Sequence, residues 1–255
     1  PRFPEHVEQR YKGKPDTIAY VRDSIPRVLI AKLTRDGMGA ECGGYEIGWT
    51  RRLRGLPAIL AKYPQYTRHD LLKEFPKLKQ CFLIEGRLTC LDAAFPPIGD
   101  SGSTGRWGRI GNASTFLQGF KLYSDPRMAA LAWHYAGHKA DRLRGSIFDE
   151  HPMALAHQIA EIGEAHPFKL KCEHLGHYGQ AVLQTEQKAN GRALWIHYGY
   201  RLGHSHSDCL NIGLYAKNVD MLPDLGYPEY TGPWPKRIGW TSHTVSHNAL
   251  LINDR

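Results

Sequence analysis

The sequence predicts an α+β chain, with a run of helical hairpins first and antiparallel strands after them. Three observations carry this. Apolar residues recur at three- and four-residue spacing up to about residue 165. Helix start signals punctuate the same region. After about residue 172 the pattern turns to alternation with a hairpin signal, so helical and β segments are segregated along the chain rather than interleaved.

The elements follow in order. Ile18, Val21, Ile25, Val28 and Leu29 share one helix face, with Pro26 marking a kink or break. Thr67 and Asp70-Leu71-Leu72 open a second helical stretch, whose apolar face continues through Leu78, Phe82 and Leu83. Residues 115–121 and 126–138 form a helix pair. Ser124-Asp125-Pro126 between them supplies a cap followed by proline in the first turn. Residues 152–162 give another helix. Glycine-rich loops at 36–39 and 96–102 separate these elements, and helical hairpins in series can close into a toroid. In the second part, strands are expected at 178–187, 192–200, 210–216, 220–222 and 245–252. Lys188-Ala189-Asn190-Gly191 makes the first hairpin turn. The division falls between residues 165 and 175, giving parts at 1–168 and 169–255.

Composition narrows the function classes. In 255 residues, 42% are hydrophobic and 23% charged, which excludes a disordered chain. No run approaches the roughly 18–20 apolar residues of a membrane span. Lys and Arg exceed Asp and Glu by 33 to 25, and a net charge of +8 selects polyanionic partners. Nucleic acid is not favoured among them, because helix-turn-helix, zinc-finger and RNA-binding signatures are missing. Five cysteines at wide spacing, with no CxxC pair, read as free thiols rather than a disulfide framework. The chain opens Pro1-Arg2-Phe3 and closes on the apolar run 250–252, so it is expected to be an internal piece of a longer protein.

Chemistry concentrates in histidine. Seven of the 14 histidines lie between His174 and His247. In Gly203-His204-Ser205-His206-Ser207-Asp208, an extended backbone puts His204, His206 and Asp208 on one face. Two imidazoles and a carboxylate can bind a metal or move protons. Asp224 and His247 follow from neighbouring segments, and such a His/His/Asp set suits Zn²⁺. Other sites are weaker. His134 and His138 are four apart on a helix but lack the Glu of an HExxH motif. His174, His177 and His197 read as surface or cleft residues. Arg51-Arg52-Leu53-Arg54 reads as a solvated helix face.

From Gly203 to Asn253 the chain closely resembles the heparinase II/III-like polysaccharide lyases. Their pattern of HxHxD, an apolar strand, a DxG turn and a THN-type strand is met by His204-Ser205-His206-Ser207-Asp208, Asp224-Leu225-Gly226 and Thr244-Val245-Ser246-His247-Asn248. Upstream, Asp36-Gly37 and Glu41 through Tyr45 resemble the segment that carries the family's catalytic tyrosine, with Cys42-Gly43-Gly44 in place of the usual Ser-Pro-x. Pro96-Pro97-Ile98-Gly99-Asp100 resembles its PxxGD loop. The resemblance covers roughly residues 30–255.

What the resemblance implies is specific. The fold would be an (α/α) toroid packed on an antiparallel β-sandwich, truncated at both ends. The activity would be β-elimination at a uronic acid in an anionic polysaccharide, of heparin or heparan type first and alginate second. That reaction needs the uronate charge neutralised, a base at C5 and an acid at the leaving oxygen. Tyr45 would be the acid/base, since neighbouring cations can lower a tyrosine pKa. His204 would be its partner base, or would take the proton from the opposite sugar face. His206, Asp224 and His247 would hold a structural zinc, calcium being disfavoured by two nitrogen ligands. Glu41 would order the Tyr45 loop, and Trp107 and Arg109 would stack on and pair with the anionic sugar. Tyr63 and Tyr66 compete for the tyrosine role. The carboxylate-neutralising residue would lie upstream, and the protein would be secreted or periplasmic. Two alternatives stand beside the lyase: a uronyl C5-epimerase on the same scaffold and a non-catalytic polyanion binder.

Overall fold

The computed structural model describes residues 32–39, 41–62, 70–102, 110–199, 203–227 and 239–252. The expected helix around Ile18–Leu29 lies outside them, as do Tyr63, Tyr66, Trp107 and Arg109. The α+β order holds within the described residues. Helices come first and a five-stranded antiparallel sheet follows. None of these helices is long and apolar enough to cross a membrane.

Helix α1 (Gly43–Leu60) has no side-chain cap from its own Cys42. Its Gly44 N–H donates instead to Ser101 Oγ, 2.6 Å away in a distant loop. Ile47, Thr50, Leu53, Arg54 and Pro57 form its buried face. Arg54 corrects the solvated reading of the basic cluster. Its guanidinium is buried, 2.6 Å from Glu85, and it also donates to the Cys81 carbonyl. Arg51 reaches the same Glu85 at 3.2 Å. The spacing of that cluster puts Arg54 on the apolar face, and Glu85 is the acid that makes its burial tolerable.

The short α2 (Leu71–Glu74) begins at Asp70, whose carboxylate accepts from Lys73 N–H. Helix α3 (Lys77–Arg87) buries Leu78, Cys81, Phe82, Leu83 and Ile84. Helix α4 (Ala113–Tyr123) is capped by Asn112, which accepts from Thr115 N–H at 2.9 Å. Helix α5 (Pro126–Tyr135) starts as expected, with Asp125 as cap and Pro126 in the first turn. A 3₁₀ turn (Ala140–Leu143) and helix α6 (Ala154–Ala165) complete the helical part. Phe82, Phe116, Met128, Trp133 and Ile159 form one core through α3 to α6.

The sheet is a meander in the order β1-β2-β3-β4-β5. The strands are β1 (Glu173–Leu175), β2 (Gln180–Gln184), β3 (Arg192–His197), β4 (Asn211–Ala216) and β5 (Val219–Asp220). Asn190 takes the left-handed conformation at the β2–β3 turn, as Asn-Gly predicts. The β4–β5 turn uses two non-glycine left-handed residues, Lys217 and Asn218. Trp195 on β3 is fully buried. It fits because its cross-strand neighbour is Gly213, where a Cβ would stand 2.2 Å from the indole. The loop after α3 packs Cys90, Leu91, Ala94 and Ile98 onto Val182, Ala193, Trp195 and Tyr215, which joins helices to sheet. All five cysteines are free, Cys42, Cys81 and Cys90 buried and Cys172 and Cys209 exposed.

Two expected extended segments are not strands. Residues 245–252 contain a 3₁₀ turn (Thr244–Ser246) and then irregular chain. Ser246 Oγ donates to the His243 carbonyl and holds the turn, while Asn248 N–H goes to the Asn211 side chain. The 203–208 segment is also irregular, and His204 has φ of 46°. Its backbone bonds go to a loop and to Ser242 rather than to a neighbouring strand.

Asp125 generates a stability test. Its carboxylate caps α5 and is held far below the usual carboxylate range, chiefly by hydrogen bonds from Arg127 and with help from Lys79. A depressed folded pKa gives stability that is present above the unfolded value of about 3.9 and lost as pH falls through the folded value. Asp125→Ala should therefore cost about 1–2 kcal/mol at pH 7 in denaturant unfolding. The gap to wild type should close progressively below about pH 4.

Candidate active site and metal cluster

The site forms where one loop of the helical part meets two loops of the sheet. In Pro96–Gly102, three consecutive residues bind two other parts of the chain, the 203–208 segment and α1. Gly99 N–H donates to Asp208 Oδ2 at 2.9 Å. Asp100 N–H donates to the His204 carbonyl at 2.9 Å. Ser101 Oγ accepts from Gly44 at the start of α1. Gly99 has φ of 59°, and a Cβ there would lie 2.7 Å from the His204 carbonyl oxygen. The close approach of the two loops therefore requires glycine.

Tyr45, in the first turn of α1, stacks on His204. Their ring centroids are 3.6 Å apart and the planes differ by 9°. Both are open to solvent, Tyr45 at 43% and the His204 side chain at 42%. Glu41 packs against Gly203, immediately before His204. The expected Tyr45–His204 pair is thus brought together, with Glu41 beside it.

Behind this open pair lies a buried cluster. His206, Asp208 and His247 each offer a ligand atom, and these atoms lie within 4.8 Å of one another. Both histidine side chains are fully buried. Each has one nitrogen on a carboxylate. His206 Nε2 is 2.9 Å from Asp100 Oδ1, and His247 Nδ1 is 2.7 Å from Asp224 Oδ2. The remaining nitrogens, His206 Nδ1 and His247 Nε2, are buried without a hydrogen-bond partner. Buried nitrogens of that kind are costly unless something binds them, and an imidazole backed by a carboxylate is the usual form of a metal-ligating histidine.

Asp224 is the expected third ligand, and it lies in the same buried group, 2.7 Å from His247 Nδ1. Asp208 offers a second carboxylate, with an oxygen within 4.8 Å of the ligand atoms of both imidazoles. Asp224 accepts from His247, from Asn211 Nδ2 at 2.7 Å and from Gly226 N–H at 2.7 Å. Burial pushes the Asp208 carboxyl up and pulls His206 down. Burial also pulls on His247, but the hydrogen bond and charge of Asp224 outweigh it and its pKa rises.

Five further histidines, those at 134, 138, 174, 177 and 197, have local partners. His134 Nε2 bonds to Asp92 Oδ2 at 2.8 Å, and its ring lies edge-on to His138. His174 bonds to the Tyr198 hydroxyl, while the His177 N–H donates to Asp36. His197 is buried beneath the cluster, with Nε2 4.0 Å from Asp208 Oδ1. Asp100 lies in the Gly99-Asp100 motif, whose sequence carries no sign of what its carboxylate binds. Its carboxylate is the central acceptor of the site, since Oδ2 also receives His204 Nδ1 at 3.1 Å.

Residues 181–255 match the family model described as "Heparinase II/III-like, C-terminal". This segment is heparinase II/III-like. No curated protein matches the chain by sequence. Among solved structures it is similar to that of heparinase III, with 15% identity and a TM-score of 0.66 over 96% of this chain and 36% of that chain. It is also similar to a heparan sulfate lyase HepC mutant from Pedobacter heparinus, with 16% identity and a TM-score of 0.60 over 96% of this chain and 34% of that one. The likeness to these structures is one of fold, and the chain spans about a third of their length.

The loop contact predicts the effect of a small change. Gly99→Ala forces a β-carbon into a left-handed position against the His204 carbonyl. It should cost about 1–3 kcal/mol in thermal or denaturant unfolding. A wild-type melting curve would mean that the site tolerates separation of these loops.

Proposed function

We propose that the chain is part of a polysaccharide lyase that cleaves a uronate-containing anionic polysaccharide by β-elimination. Heparin or heparan sulfate is the first substrate and alginate the second. The stack of Tyr45 on His204 carries this reading. It sets two proton-transfer groups side by side and open to solvent, within a heparinase II/III-like chain. On this reading residues 1–168 belong to an (α/α) toroid and 169–255 to a β-sandwich. The protein acts in the periplasm or outside the cell, where such polymers are met, and the +8 charge favours their approach.

The chemistry follows from the groups. A carboxylate accepts and does not donate, so His204 Nδ1 carries the hydrogen bound to Asp100, and in the neutral ring the lone pair is on Nε2. His204 Nε2 or the Tyr45 oxygen removes the C5 proton. The C5–H electrons form the C4–C5 double bond, and the C4–O bond breaks. The Tyr45 hydroxyl gives a proton to the departing glycosidic oxygen. Proton removal and delivery at adjacent carbons need two groups within one sugar's reach, which the stacked rings provide. Glu41 orders the Tyr45 side of the cleft, and Trp107 and Arg109 contribute stacking and charge to the sugar.

His206 Nδ1, His247 Nε2 and the Asp208 carboxylate fit a Zn²⁺ ion, with Asp224 orienting His247. Two nitrogen donors select zinc over calcium. Its chemistry there is structural, tying the 203–208 loop to the 241–248 loop.

Two experiments test the reading. Full-length protein given heparan sulfate, heparin and alginate should release product absorbing in the ultraviolet as an unsaturated uronate. Tyr45→Phe should lower kcat by about 10²–10⁴-fold. Absence of such product from every uronate polymer overturns the lyase, and C5 deuterium exchange without cleavage identifies an epimerase. For the metal, chelation should lower the melting temperature of wild type. Asp208→Ala should lose zinc on dialysis, and Asp224→Ala should bind it about 10–100-fold more weakly. Full retention by Asp208→Ala with loss in Asp224→Ala would restore Asp224 as the ligand.

A further inference from the structure

We propose that Asp100 is a positioning residue that sets the tautomers of two imidazoles at once. Its carboxylate splits between them, with Oδ2 at 3.1 Å from His204 Nδ1 and Oδ1 at 2.9 Å from His206 Nε2. A carboxylate has only acceptor sites, so both imidazole nitrogens facing it must carry hydrogen. In the neutral form of each ring the other nitrogen is then a lone pair. For His204 that lone pair is Nε2, on a ring open to solvent and stacked on Tyr45. For His206 it is Nδ1, which is buried, has no hydrogen-bond partner and belongs to the His206–Asp208–His247 group. One side chain thus prepares a base on its exposed side and a metal ligand on its buried side.

The carboxylate is placed to do this rigidly. Its side chain is 3% exposed. Its own N–H is bonded to the His204 carbonyl, and its two neighbours are bonded to Asp208 and to α1. Rotating it away from one imidazole would also break its bond to the other. His204 is held doubly, by ring nitrogen to the Asp100 side chain and by carbonyl to the Asp100 backbone. The neutral side chain of a free histidine prefers hydrogen on Nε2, so for His204 the bond to Asp100 opposes the intrinsic preference.

The consequence for turnover rests on the lyase reading, whereas the consequences for tautomer and metal do not. Full-length wild type, Asp100→Asn and Asp100→Ala should be compared by three measurements. Asparagine keeps the size, but its amide NH₂ opposes one imidazole N–H, so that ring must lose its bond or switch tautomer. Alanine loses both. Long-range ¹H–¹⁵N spectra of the zinc-free protein should show His204 as the Nδ1–H tautomer in wild type. In Asp100→Ala it should shift toward Nε2–H. Zinc affinity should fall about 10–100-fold in at least one variant. With heparan sulfate, kcat should fall while KM changes little, the pattern of an interaction made in the transition state. An unchanged His204 tautomer together with unchanged zinc affinity in Asp100→Ala overturns the proposal, and if that variant does not fold, the same two readouts on Asp100→Asn decide. If wild type cleaves no uronate polymer, the lyase reading fails, and the tautomer and zinc data still decide the role of Asp100.

Discussion

A carboxylate buried between two imidazoles leaves little freedom to anything around it. Asp100 receives His204 on one oxygen and His206 on the other, and its backbone N–H is bound to His204 as well. The residues on either side are equally committed, Gly99 to Asp208 and Ser101 to the first turn of α1. Tyr45 lies in that turn. The position of its ring over His204 therefore depends on the same short loop that orients His204. Charge-assisted hydrogen bonds in a water-poor setting are among the stronger local restraints a protein has. Here they bind the 99–100 loop to the 204–208 segment, and the neutral Gly44–Ser101 bond adds α1.

Burial divides the site into two halves. Tyr45 and His204 are open, as groups that must meet a polymer need to be. His206, Asp208, Asp224 and His247 are closed off. In the closed half each imidazole is backed by one carboxylate, Asp100 for His206 and Asp224 for His247. Two further amides, from Asn211 and the Gly226 backbone, saturate Asp224. Such a layered network is stable only when its last donors and acceptors are satisfied. The two unpartnered nitrogens that remain are the physical reason for placing an ion there.

Much of this was legible in the sequence because local chemistry decided it. Asp70 and Asp125-Pro126 mark helix starts through capping and fixed φ, which need no tertiary information. The β2, β3 and β4 strands were legible from alternation and from Asn190-Gly191. What was misread depends on partners distant in sequence. Arg54 looks like a solvated charge until Glu85, 31 residues away, is seen to accept it. Residues 245–252 look like a strand because they are apolar, but most of their polar bonds go to turns and side chains rather than to a ladder. The 203–208 segment has the spacing of a strand face, yet its loop partners hold His204 in the left-handed region. The motifs identified the histidines. Their pairing with Asp100 could be seen only once the fold brought position 100 beside positions 204 and 206.

This dependence bears on what counts as the functional unit. The segment that matches the family model, residues 181–255, contains His204, His206, Asp208, Asp224 and His247. It contains neither Tyr45, which stacks on the exposed histidine, nor Asp100, which orients it. Nor does it contain Gly99, whose N–H holds Asp208, or Cys90 and Ile98, which pack beneath Trp195. The β segment alone would keep the side chains that suit an ion but leave His204 without its carboxylate and its ring partner. The helical part alone would keep a tyrosine in the first turn of a helix, with nothing stacked against it. Chemistry at this site is therefore a property of the junction between the two parts. The apolar contact of the 90–98 loop with the sheet, together with Leu175 and Tyr178 packed on Met38, Ile47 and Ile84, helps to hold that junction to the ångström tolerance that hydrogen bonds demand.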